Sequence, residues 1–162
     1  MGARCTLGKS KSQLKRWMEE PKLGVSVFDS ILLPQLWGTE ELYAVFSDEG
    51  IVQKWFYFEA ALALEQGFMG IIPQAAADDI AEHCKVEMMK LEDVAAGIRA
   101  VKNRMVPTLR EVQKLCQPAN GEWIHYDPTT QDVLDTGTML QLKDTYTFLL
   151  RDLKESRETD RT

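Results

Sequence analysis

Residues 46–73 read FSDEGIVQKWFYFEAALALEQGFMGIIP. Ser47 is a helix-capping residue type, and Asp48 and Glu49 place negative charge where a helix N terminus favours it. Ile51, Trp55, Phe58 and Leu62 then recur at helical spacing, and Val52 and Phe56 widen the stripe. Few polar positions remain between Ile51 and Leu64, so this helix is expected to be buried on most sides. Gly67, Gly70 and Pro73 end it. A long apolar helix in a chain with no convincing two-residue alternation points to an all-α fold.

The flanks repeat the pattern. Thr39 can cap a short helix through Glu40, Glu41, Leu42 and Val45. A third helix is expected over residues 74–84, with Asp78 and Asp79 early in it. A fourth, over residues 87–101, would align Met88, Leu91, Val94, Ala95 and Ile98 on one side. Residues 102–106 form a junction, and Pro107 suits the first turn of a helix reaching about Gln117 through Leu109, Val112 and Leu115. Pro118, Asn120 and Gly121 make a turn. Only residues 123–125 have any strand character. The last helix begins near Thr130 and Gln131 and runs toward Leu153, with Leu134, Leu142, Leu149 and Leu153 as apolar points and Tyr146 and Phe148 adding bulk. The tail KESRETDRT, residues 154–162, is polar and reads as an arbitrary stop.

The chain has 162 residues, 44% hydrophobic and 27% charged, which suits one soluble globular domain with a real core. Its net charge of −6 disfavours non-specific nucleic-acid binding. Residues 1–24 differ: Arg4, Lys9, Lys11, Lys15, Arg16 and Lys22 oppose only Glu19 and Glu20, a local charge of +4 that leaves −10 for the remainder. With Gly2, Gly8, Pro21 and Gly24 and no clear period, this segment reads as a disordered basic extension without the apolar run of a secretory signal. No stretch approaches the roughly 18 apolar residues of a membrane span. Cys5, Cys84 and Cys116 fit no zinc spacing and read as reduced thiols of a cytoplasmic protein.

Chemistry concentrates in residues 121–136, GEWIHYDPTTQDVLDT. Thr129 and Thr130 put hydroxyls at the mouth of a helix whose first N–H groups carry partial positive charge. Gln131 adds an amide and His125 a donor, so a small carboxylate would fit. The simpler alternative is a threonine cap with Asp132 as its reciprocal partner. Lys102, Asn103 and Arg104 form either a second anion-contacting edge or a charged loop. His83, among Asp78, Asp79, Glu82 and Glu87, reads as a surface histidine beside carboxylates. No glycine-rich phosphate loop, HExxH or Cys/His metal cluster, or recognisable serine nucleophile motif is present. Nothing calls for a cofactor or a metal.

Three stretches, residues 46–73, AVKNRMVPTLREV at 100–112 and WIHYDPTTQDVLDT at 123–136, resemble the N-terminal region of the fumarase/aspartase superfamily. The resemblance spans residues 27–153, and its nearest branches are adenylosuccinate lyase and 3-carboxy-cis,cis-muconate cycloisomerase. The last stretch looks like the family's His-x-Gly-x-Thr-Ser/Thr-x-Asp segment. This implies an N-terminal helical domain over residues 25–128 and the start of the long central-bundle helix over 129–162. It implies that His125, Thr129 and Thr130 contact a small carboxylate substrate, with Gln131 and Asp132 completing the loop. Asn103 falls where adenylosuccinate lyases commonly carry histidine and cycloisomerase-like members can carry asparagine, which tilts the resemblance toward the latter. The implied reaction is anti β-elimination or its reverse, with donors stabilising the developing aci-carboxylate.

The chain departs from the family at Asp127 and Pro128, which replace a glycine and a small or apolar residue, and both changes should weaken anion binding. The family's later Gly-Arg-Thr-His-like segment and Gly/Ser-rich catalytic loop have no counterpart, so no catalytic acid or base is assigned. Family active sites are built from several subunits of a homotetramer. The chain therefore reads as a C-terminally truncated lyase fragment, inactive alone. The alternatives are a non-catalytic helical interaction module, or a relic that folds poorly because its apolar faces lack cover.

Overall fold

The computed structural model describes residues 38–159. The basic extension and Cys5 lie outside the described residues. Among the described residues seven α-helices follow in order: α1 Glu40–Phe46, α2 Asp48–Phe68, α3 Gln74–His83, α4 Leu91–Val101, α5 Met105–Leu115, α6 Pro118–Gly121 and α7 Thr130–Thr159. A 3-10 turn, Val86–Met88, joins α3 to α4. No strand occurs among the described residues, so 123–125 is loop. The all-α expectation holds.

Ser47 starts α2 as the sequence predicts. Its hydroxyl accepts from Gly50 N at 3.0 Å and donates to Ala44 O at 3.0 Å, which links α1 to α2 around a sharp corner. Gly50 is required there, because a Cβ would collide with Ala44 O. The buried face of α2 carries Val52, Trp55, Phe56, Glu59, Ala63, Gln66 and Gly67. Against it pack Ala77 and Ile80 of α3, Val133 of α7, and Met105, Leu109 and Val112 of α5 in one core. The helix is less enclosed than its composition predicts: Tyr57, Leu64 and Phe68 are exposed.

The fourth helix is shorter than expected. Gln53 of α2 ties down the α3–α4 connection, accepting from Val86 N at 2.9 Å and donating to Cys84 O at 3.3 Å. Met89 and Lys90 are therefore extended, α4 starts only at Leu91, and Met88 is exposed instead of joining the apolar side. The tertiary hydrogen bonds override the helical pattern at 87–90. Conversely, the residues read as the start of a polar tail continue α7 to Thr159. Ser156 and Thr159 return their hydroxyls to the Asp152 and Glu155 carbonyls, four residues back.

Helix α7 lies along α1 and α2. Gln141 donates to Val45 O at 2.8 Å, Lys54 pairs with Asp144, and Arg151 reaches both oxygens of Glu41. Val133, Gly137 and Gln141 face this contact and are buried. On the other side, Met139, Leu142, Tyr146, Leu149 and Leu153 are all exposed. No helix among the described residues is long and apolar enough to cross a membrane.

Candidate functional site

Helix α2 places two polar side chains on its apolar face two turns apart, Glu59 and Gln66, 1% and 8% exposed. Both grip the loop between α6 and α7. Glu59 Oε1 lies 2.6 Å from His125 Nδ1, and Gln66 Nε2 donates to Tyr126 O at 2.8 Å. The loop is also held by Ile124 in the core and by the Trp123 and Tyr126 rings, whose centroids stand 5.4 Å apart. These anchors hold the backbone in unusual conformations. His125 has φ +58° and Asp127 φ +78°, both left-handed.

Past this loop the helix cap predicted from sequence is formed. Thr129 N and Thr129 Oγ1 both donate to Asp132 Oδ2 at 2.8 Å. The Thr129 backbone N–H, followed by its hydroxyl, holds the Asp132 carboxyl below the ordinary range. Gln131 donates to Asp135 Oδ1 at 2.5 Å, one turn along α7. The Thr130 hydroxyl has no hydrogen-bond partner among the described residues. His125, Thr129, Thr130, Gln131 and Asp132 thus share one loop and helix start. Asn103 serves another helix, its Oδ1 accepting from Met105 N at 2.9 Å and Val106 N at 3.0 Å at the head of α5.

Glu59 is the residue that reading the sequence missed. Burial pushes its carboxyl above the ordinary value, and the charge and hydrogen bond of His125 act against that. Its second oxygen, Oε2, is buried with no partner, as is Gln66 Oε1. The available signal was a carboxylate on the Val52, Phe56, Ala63 stripe, where an unpaired charge is costly.

One group of metal-ligand types comes together among the described residues: Asp79, His83 and Cys116, with ligand atoms within 4.8 Å of one another. Both Asp79 carboxylate oxygens and His83 Nδ1 are already engaged. Asp79 Oδ2 accepts from Gln117 N at 2.9 Å and Asn120 Nδ2 at 2.8 Å, while Oδ1 faces His83 Nδ1 at 3.0 Å. Burial alone would raise the Asp79 carboxyl, but these hydrogen bonds and His83 hold it below its ordinary value. Burial pushes the Cys116 thiol up to about 11, so it is not a ready thiolate. The group is a clasp joining α3 to the start of α6.

No family model matches the chain. An N-acetyl-S-(2-succino)cysteine lyase of Dickeya dadantii is 38% identical over 128 residues, which is 79% of this chain and 28% of that protein. An adenylosuccinate lyase of Methanocaldococcus jannaschii is 32% identical over 122 residues, 75% of this chain and 26% of its own length. The crystal structure of the β-carboxy-cis,cis-muconate cycloisomerase of Acinetobacter calcoaceticus superposes with a TM-score of 0.73 at 26% identity, covering 79% of this chain and 31% of that one. The helical architecture matches the N-terminal domain of such structures. The chain belongs to the fumarase/aspartase superfamily, and these relatives are named as lyases and a cycloisomerase. It spans about 28% of the length of the first curated relatives it matches.

Proposed function

We propose that this chain supplies the N-terminal helical region of an enzyme that performs anti β-elimination, or its reverse, on a carboxylate-bearing substrate, with residues 123–131 as the substrate-contact loop. The observation that carries this reading is the anchoring of His125 by buried Glu59 immediately before the Thr129–Thr130 start of a 30-residue helix. The imidazole, the Thr130 hydroxyl and the helix N terminus offer donors to one small anion. Gln131 and Asp132 support the loop, and Asn103 contributes by fixing the start of α5. In this reading residues 25–128 form the N-terminal domain and 129–162 begin the central bundle. The chain alone lacks the catalytic acid and base and is inactive. The working enzyme is a cytoplasmic homotetramer.

Calorimetric titration with fumarate tests the loop. Binding by the unaltered chain that weakens about tenfold in Thr130→Ala is expected, the scale of one hydrogen bond to a charged group. Absence of fumarate binding to a folded chain removes the substrate-contact reading. A second reading, a non-catalytic helical interaction module, is favoured by the exposed apolar side of α7 and by Asp127, a negative charge in a loop meant for an anion.

A further inference from the structure

We infer that Glu59 is a positioning residue that keeps Nε2 of His125 protonated and turned outward, making His125 a fixed hydrogen-bond donor to a substrate carboxylate and not a base. The inference deepens the proposed substrate-contact reading and rests on it.

Geometry comes first. Glu59 Oε1 takes His125 Nδ1 at 2.6 Å from a fully buried position. The imidazole is 18% exposed, and its Nε2 has no protein partner among the described residues. Nε2 is also absent from the buried unpartnered atoms, so it reaches solvent. The ring therefore has an inner nitrogen bound to the protein and an outer one available to a ligand.

The position of the proton follows from the burial of Glu59. Its Oε2 has no hydrogen-bond partner, and a bare ionised carboxylate in such a place is strongly disfavoured. The stable state of the pair is the one with no net charge. That state has three proton arrangements. In two of them the short contact uses its proton: either Glu59 donates from Oε1 to an unprotonated Nδ1, or Glu59 is ionised and His125 carries protons on both nitrogens, and in both Nε2 bears a hydrogen. The third, with the proton on Oε2 and Nδ1–H donating to Oε1, would leave Nε2 bare, but it puts a buried hydroxyl where no acceptor stands. With that form disfavoured, freeing the Nε2 lone pair requires removing a proton from the whole pair and leaving a net negative charge in the core. Cys84, from the end of α3, is held neutral by burial and by the proximity of Glu59 and adds no charge to the pair, while the Asp132 carboxylate on α7 interacts electrostatically with His125. A hydrogen on an outward Nε2 complements an anion, whereas a lone pair would repel it.

Nitrogen-15 NMR tests the assignment, because the chain has only two histidines and His83→Ala leaves His125 as the single signal. At pH 7 the His125 Nε2 resonance is expected at a protonated position in the otherwise unaltered chain. A bare Nε2 at pH 7 overturns the inference without any variant at Glu59. In Glu59→Gln, with no buried carboxyl left to share the proton, a bare His125 Nε2 is expected to appear at about pH 8, where the unaltered chain keeps it protonated. Identical His125 nitrogen resonances in both chains also overturn the inference. Adding fumarate separates the two claims. A protonated Nε2 with no fumarate response leaves the Glu59–His125 assignment standing and removes the substrate reading. Fumarate binding to a chain with a bare Nε2 does the reverse.

Discussion

Gly137 of α7 stands against Trp55 of α2 so closely that a Cβ on it would lie 2.7 Å from the indole Cδ1 and 3.1 Å from Nε1. A glycine inside a helix costs about 1 kcal/mol relative to alanine, so its place here is explained by the crossing and not by helix propensity. The close approach lets Val133 and Gln141, one turn to either side, reach the core and Val45 O.

Gly137→Val is therefore expected to lower unfolding free energy by about 2–3 kcal/mol through overpacking and a shift of α7 from α2. Urea denaturation followed by circular dichroism measures it. An unchanged midpoint would show that the two helices are not held at this distance.

Asp127 occupies left-handed backbone at φ +78°, a conformation that glycine adopts without strain. Asp127→Gly is expected to stabilise the chain by about 0.5–1 kcal/mol, since relief of native strain exceeds the added freedom of the unfolded chain. Thermal unfolding of the two chains decides it. A drop in melting temperature would mean that the aspartate side chain holds the loop.

Much of the fold was legible in the sequence because the cues were local. Ser47 before Asp48 and Glu49, Pro73 before α3, and Thr129 with Asp132 each act within four residues, and each helix start fell where these residues put it. The 87–90 stretch failed for the opposite reason: Gln53, more than thirty residues away, ties down Cys84 and Val86, so a 3-10 turn ends at Met88 and Met89 and Lys90 are extended. The candidate loop was visible as residue types, and the resemblance marked Asp127 as occupying a glycine position. Its positive φ gives that substitution a physical meaning. The pairing of Glu59 with His125 spans 66 residues and left only the trace of a carboxylate on an apolar stripe.

The Asp79 clasp predicts a pH dependence. The native carboxyl is held below its unfolded value near 3.8, so its stabilisation is complete above that pH and is lost as pH falls through the native value. Asp79→Ala is expected to cost about 1–2 kcal/mol at pH 7, the scale of a lost cap and its hydrogen bonds. Melts repeated between pH 7 and pH 3 should show the gap between the two chains narrowing only below about pH 4. A gap that does not depend on pH would assign the loss to packing.

The exposed side of α7 predicts an assembly effect. If homotetramer formation buries it, Leu142→Glu with Leu149→Glu should shift sedimentation to monomer, because each buried leucine contributes about 1.5–3 kcal/mol. Helical content should be preserved, since both residues are already exposed in the single chain. Unchanged sedimentation of an assembled double variant would place the subunit contact elsewhere.

Met139, Leu142, Tyr146, Leu149 and Leu153 are spaced alternately by three and four residues, a mean of 3.5 against the 3.6 of a straight α-helix. Their row drifts about 20° around the helix axis with every seven residues. A straight rod laid along α7 would leave the row before reaching its end. Any helix that covers all five must coil around α7 with a left-handed twist, crossing it at about +20°. The chirality of that contact is thus already written into a single chain, in the difference between two numbers.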